Sequence, residues 1–272
     1  MSSTTVTATI PRTRAPRNWQ PRLVSAEFLK LRKRRGLVIS ALALAVVPMI
    51  IGYTVLLSIH AANPDKHGPA GGLENLSGSM DILVQFSVVA AILVGATLGA
   101  GDLGSGVFRE LVVTGRSRLA LFAARVPAGL ALIFPIVGAG FAITATGSTV
   151  FAGSLDAPSA TLLLESAAWL GLVTAVSLVL ALGVSSTLGS RGTTIGIVLG
   201  WQIVAVPVLL EIRALGSLRE GLLGAATGRL EPAALFDGST VPMSLPAAAL
   251  VIVVWIVVPL VVGAWRTCTR DA

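Results

Sequence analysis

The chain has 272 residues, of which 54% are hydrophobic and only 12% are charged. Soluble globular domains carry about 25% charged residues, so this composition excludes an ordinary soluble enzyme. It also excludes a disordered chain, which would be polar and poor in apolar residues. The net charge of +7 is compatible with either nucleic acid or an anionic membrane surface as a partner, and the positions of the charges decide between the two.

Cysteine and histidine are too few for an internal disulfide or a structural metal site. Cys268 is the one cysteine, and His60 and His67 lie close together in sequence with no cysteine beside them. A structural zinc site takes four such ligands. We therefore predict no metal-binding residues.

The first 35 residues contain no apolar run long enough to span a membrane. Residues 1–20 are rich in Ser, Thr, Arg and Pro and are predicted to form a disordered arm. Residues 21–35 place Val24, Phe28 and Leu31 on one helical face, with basic residues around it. We predict an amphipathic helix in the membrane interface there, and the alternative is a plain basic anchor for the first span.

Six apolar segments are each long enough to cross a bilayer, which takes about 20 residues. They are residues 37–59, 82–101, 119–151, 162–188, 192–210 and 244–265. Six such segments cannot all be core helices of one domain of this size. We therefore predict an all-α, polytopic membrane domain with six transmembrane helices over residues 36–265, and a tail over residues 266–272. The first segment is too long for a cleaved signal peptide and is predicted to persist as the first span.

Positive charge is strongly biased towards one side of this predicted domain. Sixteen of the 20 Lys and Arg residues fall on one side: before the first span, between spans two and three, just inside the third span at Arg125, between spans four and five, or in the tail. The positive-inside rule then places both termini in the cytoplasm. Because the basic residues act as topology anchors, a nucleic-acid partner is not indicated.

Polar side chains inside the predicted spans are few. Gln85 and Gln202 are candidate pathway groups, although such residues more often hydrogen-bond one helix to another. Arg125 and Glu165 lie near the ends of predicted helices, from which their side chains can reach the interface. The interior is therefore expected to be uncharged, which argues against an ion-coupled transporter.

Residues 215–226, in the last long connection, repeat leucine at helical spacing beside Arg219 and Glu220. This pattern predicts a short interfacial or re-entrant helix. Its glycines make it a weak helix on its own.

Glycine patterns favour helix packing over nucleotide binding. Gly99, Gly101 and Gly104 fit G-x-G-x-x-G, but an apolar span precedes them where a dinucleotide site needs a strand, so they are predicted to form a helix end. A P-loop requires a Gly-Lys pair, and the sequence contains none. Glycines spaced four apart allow close helix contact, within one chain or between subunits. These candidate packing or subunit-interface residues are Gly95, Gly99, Gly192, Gly196 and Gly200.

The segment after the second span, GDLGSGVFRELVVTGRSRLALFAARVP over residues 101–127, predicts a cytoplasmic connection with a short helix at 107–113. An aromatic and charged group there suits docking to a soluble partner, and the alternative is a solvated charged loop. Together with the basic AEFLKLRKRR segment and the six spans, this connection resembles a permease subunit of a bacterial ABC-2 type transporter, of the actinobacterial kind. In that family an acidic residue and Gly-Thr commonly precede the short helix, whereas Ser105-Gly106-Val107 stands there in this chain.

The resemblance, which covers nearly the whole chain, implies a function and a set of partners. It implies that the amphipathic N-terminal helix is an interfacial elbow and that the connection contains a coupling helix for a separate ATPase subunit. It also implies a second permease chain, identical or homologous, while ATP and Mg²⁺ are bound by the ATPase and no cofactor or catalytic residue belongs to this chain. The residues that match the coupling region are Asp102, Gly104, Phe108, Arg109, Glu110, Thr114, Arg116 and Arg118.

The expected activity is ATP-driven export of an amphiphilic or apolar substrate across the bacterial plasma membrane. An ATP-independent channel and a membrane-embedded enzyme are the alternatives. A channel needs a polar lining and an enzyme needs converging titratable groups, and the predicted spans are poor in both.

Overall fold

The computed structural model describes residues 19–104, 117–236 and 241–269. Within these ranges the protein is helical and contains no strand. The α-helices are α1 (Trp19–Lys33), α2 (Arg35–Ala62), α3 (Leu73–Gly104), α4 (Arg118–Val150), α5 (Ala160–Leu188), α6 (Arg191–Leu199), α7 (Val206–Glu211), α8 (Leu223–Gly228) and α9 (Leu245–Thr269). A π-helical segment, Gly200–Ala205, joins α6 to α7, and a 3-10 helix, Arg213–Gly221, follows α7.

Among the described residues, six helical segments are long and apolar enough to cross a membrane: α2, α3, α4, α5, α6 with α7, and α9. The all-α, polytopic prediction is thereby confirmed. The main difference in bounds is the second span, which begins at Leu73, whereas the sequence placed its start at residue 82. The first turns of α3 carry Glu74, Asn75 and Asp81, so their hydropathy is low although the backbone is helical.

The centre of the bundle is the pair α3 and α5. In their most apolar stretches 67% of the residues of α3 and 61% of those of α5 are buried, against 11–17% for α2, α6 with α7, and α9. Ser185 of α5 donates a hydrogen bond from Oγ to the Ala96 carbonyl of α3 at 2.7 Å. The other spans surround this pair and turn apolar side chains outward, as lipid-facing helices do.

The two ends of the bundle differ in their contacts. One end, named here the α1 end, brings the start of α2 beside the end of α3, and Arg118 Nη1 donates to the Cys268 carbonyl at 3.1 Å. The other end, named the far end, carries the connections after α2, α4 and α7. There the Gly71 amide donates to the Phe151 carbonyl at 2.8 Å, and Tyr53 Oη lies 2.6 Å from Ser148 Oγ.

Helix α1 packs on the α1 end of the bundle. Leu23 is buried against Leu121 and Ala124 of α4, and Leu31 joins the main core. Glu27, on the same face, is 7% exposed and pairs with Lys30 Nζ at 2.6 Å. A helix is therefore present where the amphipathic pattern predicted one, and its position in the membrane interface stays a prediction. The predicted arm over residues 1–20 lies almost wholly outside the described residues.

Arg125 does not reach the interface, and that expectation was wrong. Its side chain is 1% exposed, and Nη1 donates to the Gly99 carbonyl at 3.4 Å. Helix α1 covers the neighbouring positions Leu121 and Ala124 of α4, where Leu23 packs. Glu165, by contrast, is exposed.

The helix predicted over residues 215–226 is instead two short helices. The 3-10 helix Arg213–Gly221 contains a break at Gly216, whose φ of +53° lies in the left-handed region that favours glycine. Helix α8 follows and packs with α9 through Leu223 and Ala226. This connection therefore forms a cap over the far end beside α5 and α7.

Candidate functional site

A cavity of about 600 Å³ opens near the far end between α3, α5, α7 and α8. Pockets that bind small organic molecules are commonly about 300–1,000 Å³ in volume, so this one is large enough for such a ligand. Each helix lines the cavity with one of its faces, and the residues on one helical face recur three or four positions apart. On α3 that face is Asp81, Val84, Gln85 and Val88, at spacings of three and four residues.

The polar groups of the cavity are ordered from one end to the other. Glu211 ends α7 and Glu231 follows α8, so both carboxylates lie at the far end, as does Asp81 near the start of α3. Ser177 and Gln202 come from deeper positions, and Ser177 Oγ donates to Gln202 Oε1 at 3.1 Å. The walls between these two levels are apolar and are formed by Val84, Val88, Val173, Val176, Ile203 and Val206.

Gln85 and Gln202, the two candidate pathway residues, line this same cavity. Gln202 Nε2 is buried and has no hydrogen-bond partner among the described residues. Buried donors are normally paired, so this amide is an exception. The sequence named both glutamines, but it did not indicate that residues 117 positions apart share one site.

The π-helical segment sets the position of Gln202. The Val206 amide donates to the Trp201 carbonyl, five residues earlier, which is the π-helical hydrogen bond. Pro207 follows at once, and a proline has no N–H and crowds the carbonyl four residues before it. The wider turn avoids that clash, and Gln202 lies within it. The span predicted over residues 192–210 is present as Arg191–Glu211. The one-residue change of helical register inside it leaves no mark in hydropathy, so the sequence did not indicate the π-helical turn.

The carboxylates at the acidic end of the cavity form no direct ion pair with a described residue. Among the described residues the only ion pair within 4.0 Å is Lys30 with Glu27, at the opposite end of the bundle. Two of the three arginines of the far end bind backbone: Arg219 Nη1 donates to the Leu210 carbonyl at 2.9 Å and Arg229 Nε to the Met243 carbonyl at 2.9 Å. Burial, assisted by the negative charge of Asp81, raises the pKa of Glu231 to about 7.

The cap over the cavity is held by tryptophans. Trp169 lines the cavity and donates from Nε1 to the Thr227 carbonyl at 3.0 Å, which fixes α8 against α5. Its ring lies 5.2 Å from that of Phe236. Trp255 of α9 donates to the Gly221 carbonyl at 3.0 Å. These contacts hold Glu231, which follows α8, in place.

The expectation of an uncharged interior was wrong at this end. Asp81 fell just outside the predicted second span, and Glu211 and Glu231 belong to parts of the chain far from it in sequence. A usable signal was present in α3, because Asp81 and Gln85 are four residues apart and so share a face. Within the described ranges no three His, Cys, Asp or Glu side chains are grouped closely enough to hold a metal ion.

The glycines spaced four apart fall into two classes. Gly95 and Gly99 face α5, where an added Cβ would overlap the Leu178 carbonyl oxygen or lie 2.6 Å from that of Leu182. They are contacts within one chain. The other three face open space, since an added Cβ would have no neighbouring atom within 4 Å at any of Gly192, Gly196 and Gly200.

The predicted coupling region is described only at its edges. Asp102 and Gly104 lie in the last turn of α3, and Arg118 begins α4. Gly99 and Gly101 also lie within α3, so the G-x-G-x-x-G pattern is a helix end. The predicted helix at 107–113, with Phe108, Arg109, Glu110, Thr114 and Arg116, lies outside the described residues.

Comparison with known proteins gives one family. Residues 23–207, about two thirds of the chain, match the family described as "ABC-2 family transporter protein". The match includes α1, the connection after α3 and the span that carries Gln202. No curated protein matches the chain.

Proposed function

The chain belongs to the ABC-2 transporter family, and from that premise we propose that it is the permease of an ATP-driven exporter of amphiphilic molecules. Family membership makes it a multi-pass membrane subunit of an ABC transporter. Export, the nature of the substrate and its site in the cavity are the proposal. The observation that carries it is the cavity itself, which combines apolar walls with polar ends.

Energy in this proposal comes from a separate ATPase subunit. That subunit binds ATP and Mg²⁺, and it docks on the connection between α3 and α4, residues 102–118. Support comes from α3, a single helix of 32 residues that carries Asp81 and Gln85 towards one end and enters the connection at the other. Closure of the ATPase pair would shift the population of permease conformations through this helix.

A second permease chain completes the proposed assembly. Gly192, Gly196 and Gly200 support a contact through α6, because small residues at spacing four allow helices to approach closely in a membrane. The orientation is also proposed. Both termini are placed in the cytoplasm of a bacterial cell because the basic residues are concentrated at the α1 end.

The proposal is tested by reconstitution. The permease is co-expressed with a candidate ABC ATPase subunit, and the purified complex is placed in proteoliposomes loaded with a fluorescent amphiphile. ATP-dependent movement of the amphiphile, abolished when a catalytic glutamate of the ATPase is replaced by glutamine, is the expected result. Transport that continues without ATP would favour a channel and refute the proposal.

A further inference from the structure

We propose that the far-end cavity binds a cationic amphiphile, an organic molecule with one positively charged group and an apolar body. The positive group lies at the three carboxylates Asp81, Glu211 and Glu231, and the body lies along the valine and isoleucine walls. As the substrate class of a transporter this inference rests on the proposed function, but the binding itself can be measured without it.

The three carboxylates at the mouth of the cavity indicate that the ligand carries a positive charge. Asp81, Glu211 and Glu231 come from three different elements and all line it. Among the described residues no lysine or arginine lies within 4.0 Å of these carboxylates, and Arg219 and Arg229 are bound to backbone carbonyls instead. Asp81 and Glu211 are exposed at this mouth, and Glu231 is partly buried. Negative charge that is not paired with a basic side chain at the mouth of a cleft favours a cation and disfavours an anion.

The distribution of charge over the whole far end of the bundle also favours a cation. The far-end segments, residues 60–81, 151–165 and 211–244, hold nine of the chain's 13 acidic residues and only four of its 20 basic ones. The chain is strongly basic overall, so this end stands out against the rest of the protein. A cleft lined by one sign of charge raises the local concentration of the opposite ion.

The depth of the cavity indicates an amphiphile and excludes a small hydrophilic cation. Asp81 and Gln85 are separated by about 6 Å along α3, and Glu211 and Gln202 by about 13 Å along their span, at 1.5 Å per residue. The surface between these levels is apolar.

A divalent metal ion is a poor fit to the same carboxylates. Ca²⁺ takes six to eight oxygen ligands at 2.3–2.6 Å, which requires carboxylates that converge on one point. No three acidic side chains of the described ranges are grouped that closely. Carboxylates spread around an opening instead suit a bulky cation whose charge is delocalised or shielded by substituents.

The test compares two probes of equal shape and opposite charge, tetraphenylphosphonium and tetraphenylborate. The full chain is purified and placed in nanodiscs of zwitterionic lipid, and binding is measured by equilibrium dialysis with empty nanodiscs subtracted. We expect saturable binding of tetraphenylphosphonium at one site per chain and none of tetraphenylborate. The affinity for tetraphenylphosphonium should fall in each of the variants Asp81→Asn, Glu211→Gln and Glu231→Gln. A unit charge about 6 Å from the cation, at an effective dielectric constant of about 40, changes the affinity about tenfold.

The matched controls are Glu74→Gln and Glu220→Gln, which remove the same charge from exposed far-end positions that do not line the cavity. They should change the affinity less than twofold. Each variant is checked by gel filtration and thermal unfolding, and only variants that melt within a few degrees of wild type are compared. Val173→Trp, which narrows the cavity without altering charge, should lower cation binding as well and keeps the proposal testable if an acidic variant misfolds.

Several results would overturn the proposal: no saturable binding of the cation, equal binding of both probes, or equal effects of the cavity and control variants. Failure here is distinct from failure of the proposed function, since ATP-dependent transport by the reconstituted complex is measured separately. Transport without cation selectivity would refute only the cationic class. Cation binding without any ATPase association would refute only the transporter assembly.

Discussion

Replacing Gly99 with alanine tests the contact between α3 and α5, on which the centre of the bundle depends. A Cβ added at Gly99 would lie 2.6 Å from both the Leu182 carbonyl oxygen and Ser185 Cβ, and 2.8 Å from the Ser186 amide nitrogen. Carbon makes its best contacts at about 3.5–4.0 Å, so the helices must separate by about 1 Å. Two of these three neighbours are backbone atoms, which no side-chain rotation can move away.

The size of the effect follows from two opposing terms. Overpacking of this kind costs about 1–3 kcal/mol, and the upper end applies because the obstacle is backbone. The better helix propensity of alanine offsets about 1 kcal/mol. We therefore expect Gly99→Ala to lower the free energy of unfolding by about 2 kcal/mol. Gly171→Ala in α5, with no atom within 4 Å of the added Cβ, is the matched control and should be neutral or slightly stabilising.

The assay is equilibrium unfolding of the full chain in mixed micelles with increasing sodium dodecyl sulfate, followed by tryptophan fluorescence. The double variant Gly95→Ala with Gly99→Ala should cost less than the sum of the two, because one separation of α3 from α5 relieves both clashes. Equal stability of the Gly99 and Gly171 variants would show that the close approach of α3 and α5 is wrong.

Three further predictions concern the site, the partner and the topology. Because the pKa of Glu231 is about 7, this carboxyl loses its proton between pH 6 and pH 8; affinity for tetraphenylphosphonium should rise across that range by a factor of several, and Glu231→Gln should flatten the dependence. Phe108→Ala with Glu110→Lys should release the ATPase or uncouple its hydrolysis while membrane insertion survives, since truncating a buried aromatic at an interface commonly costs about 2 kcal/mol; unchanged co-purification and stimulation would exclude this connection as the docking element. Reporter fusions after Gly72 and Gly238 should read as external, and a cytoplasmic signal at either position would contradict the proposed orientation.

The spans were predictable because insertion into lipid depends on local composition. A run such as residues 37–59 must satisfy its own backbone in an apolar solvent, so its hydropathy alone indicates a helix. The same reasoning failed at the start of α3, where Asp81 lowers the local hydropathy although the helix continues through it. Polar residues near a helix end are tolerated in a membrane protein. A helix boundary predicted from hydropathy therefore excludes them, although the helix includes them.

The cavity was only partly predictable because it is assembled from distant parts of the chain. Gln85 and Gln202 stood out as polar groups in apolar runs, and both prove to line it. Glu231 did not stand out, since a carboxylate in a connection is ordinary until the packing of α8 places it beside Asp81. The burial of Arg125 likewise depends on tertiary contacts, and no local pattern in α4 indicates it.

The distribution of helix-distorting features divides the bundle into a stiff centre and a more adaptable surround. The central helices α3 and α5 contain no proline, and glycine-mediated contacts join them closely. Prolines lie within α2, α4 and α9, and the span of α6 and α7 combines a π-helical turn with Pro207 and three glycines that face open space. Bends in helices arise at such features. One wall of the cavity therefore belongs to the stiff pair, and the wall that carries Gln202 and Glu211 belongs to the adaptable span. Movement of that span against α3 would change the distance between Glu211 and Asp81, so the same displacement that opens the cavity would also weaken its hold on a cation.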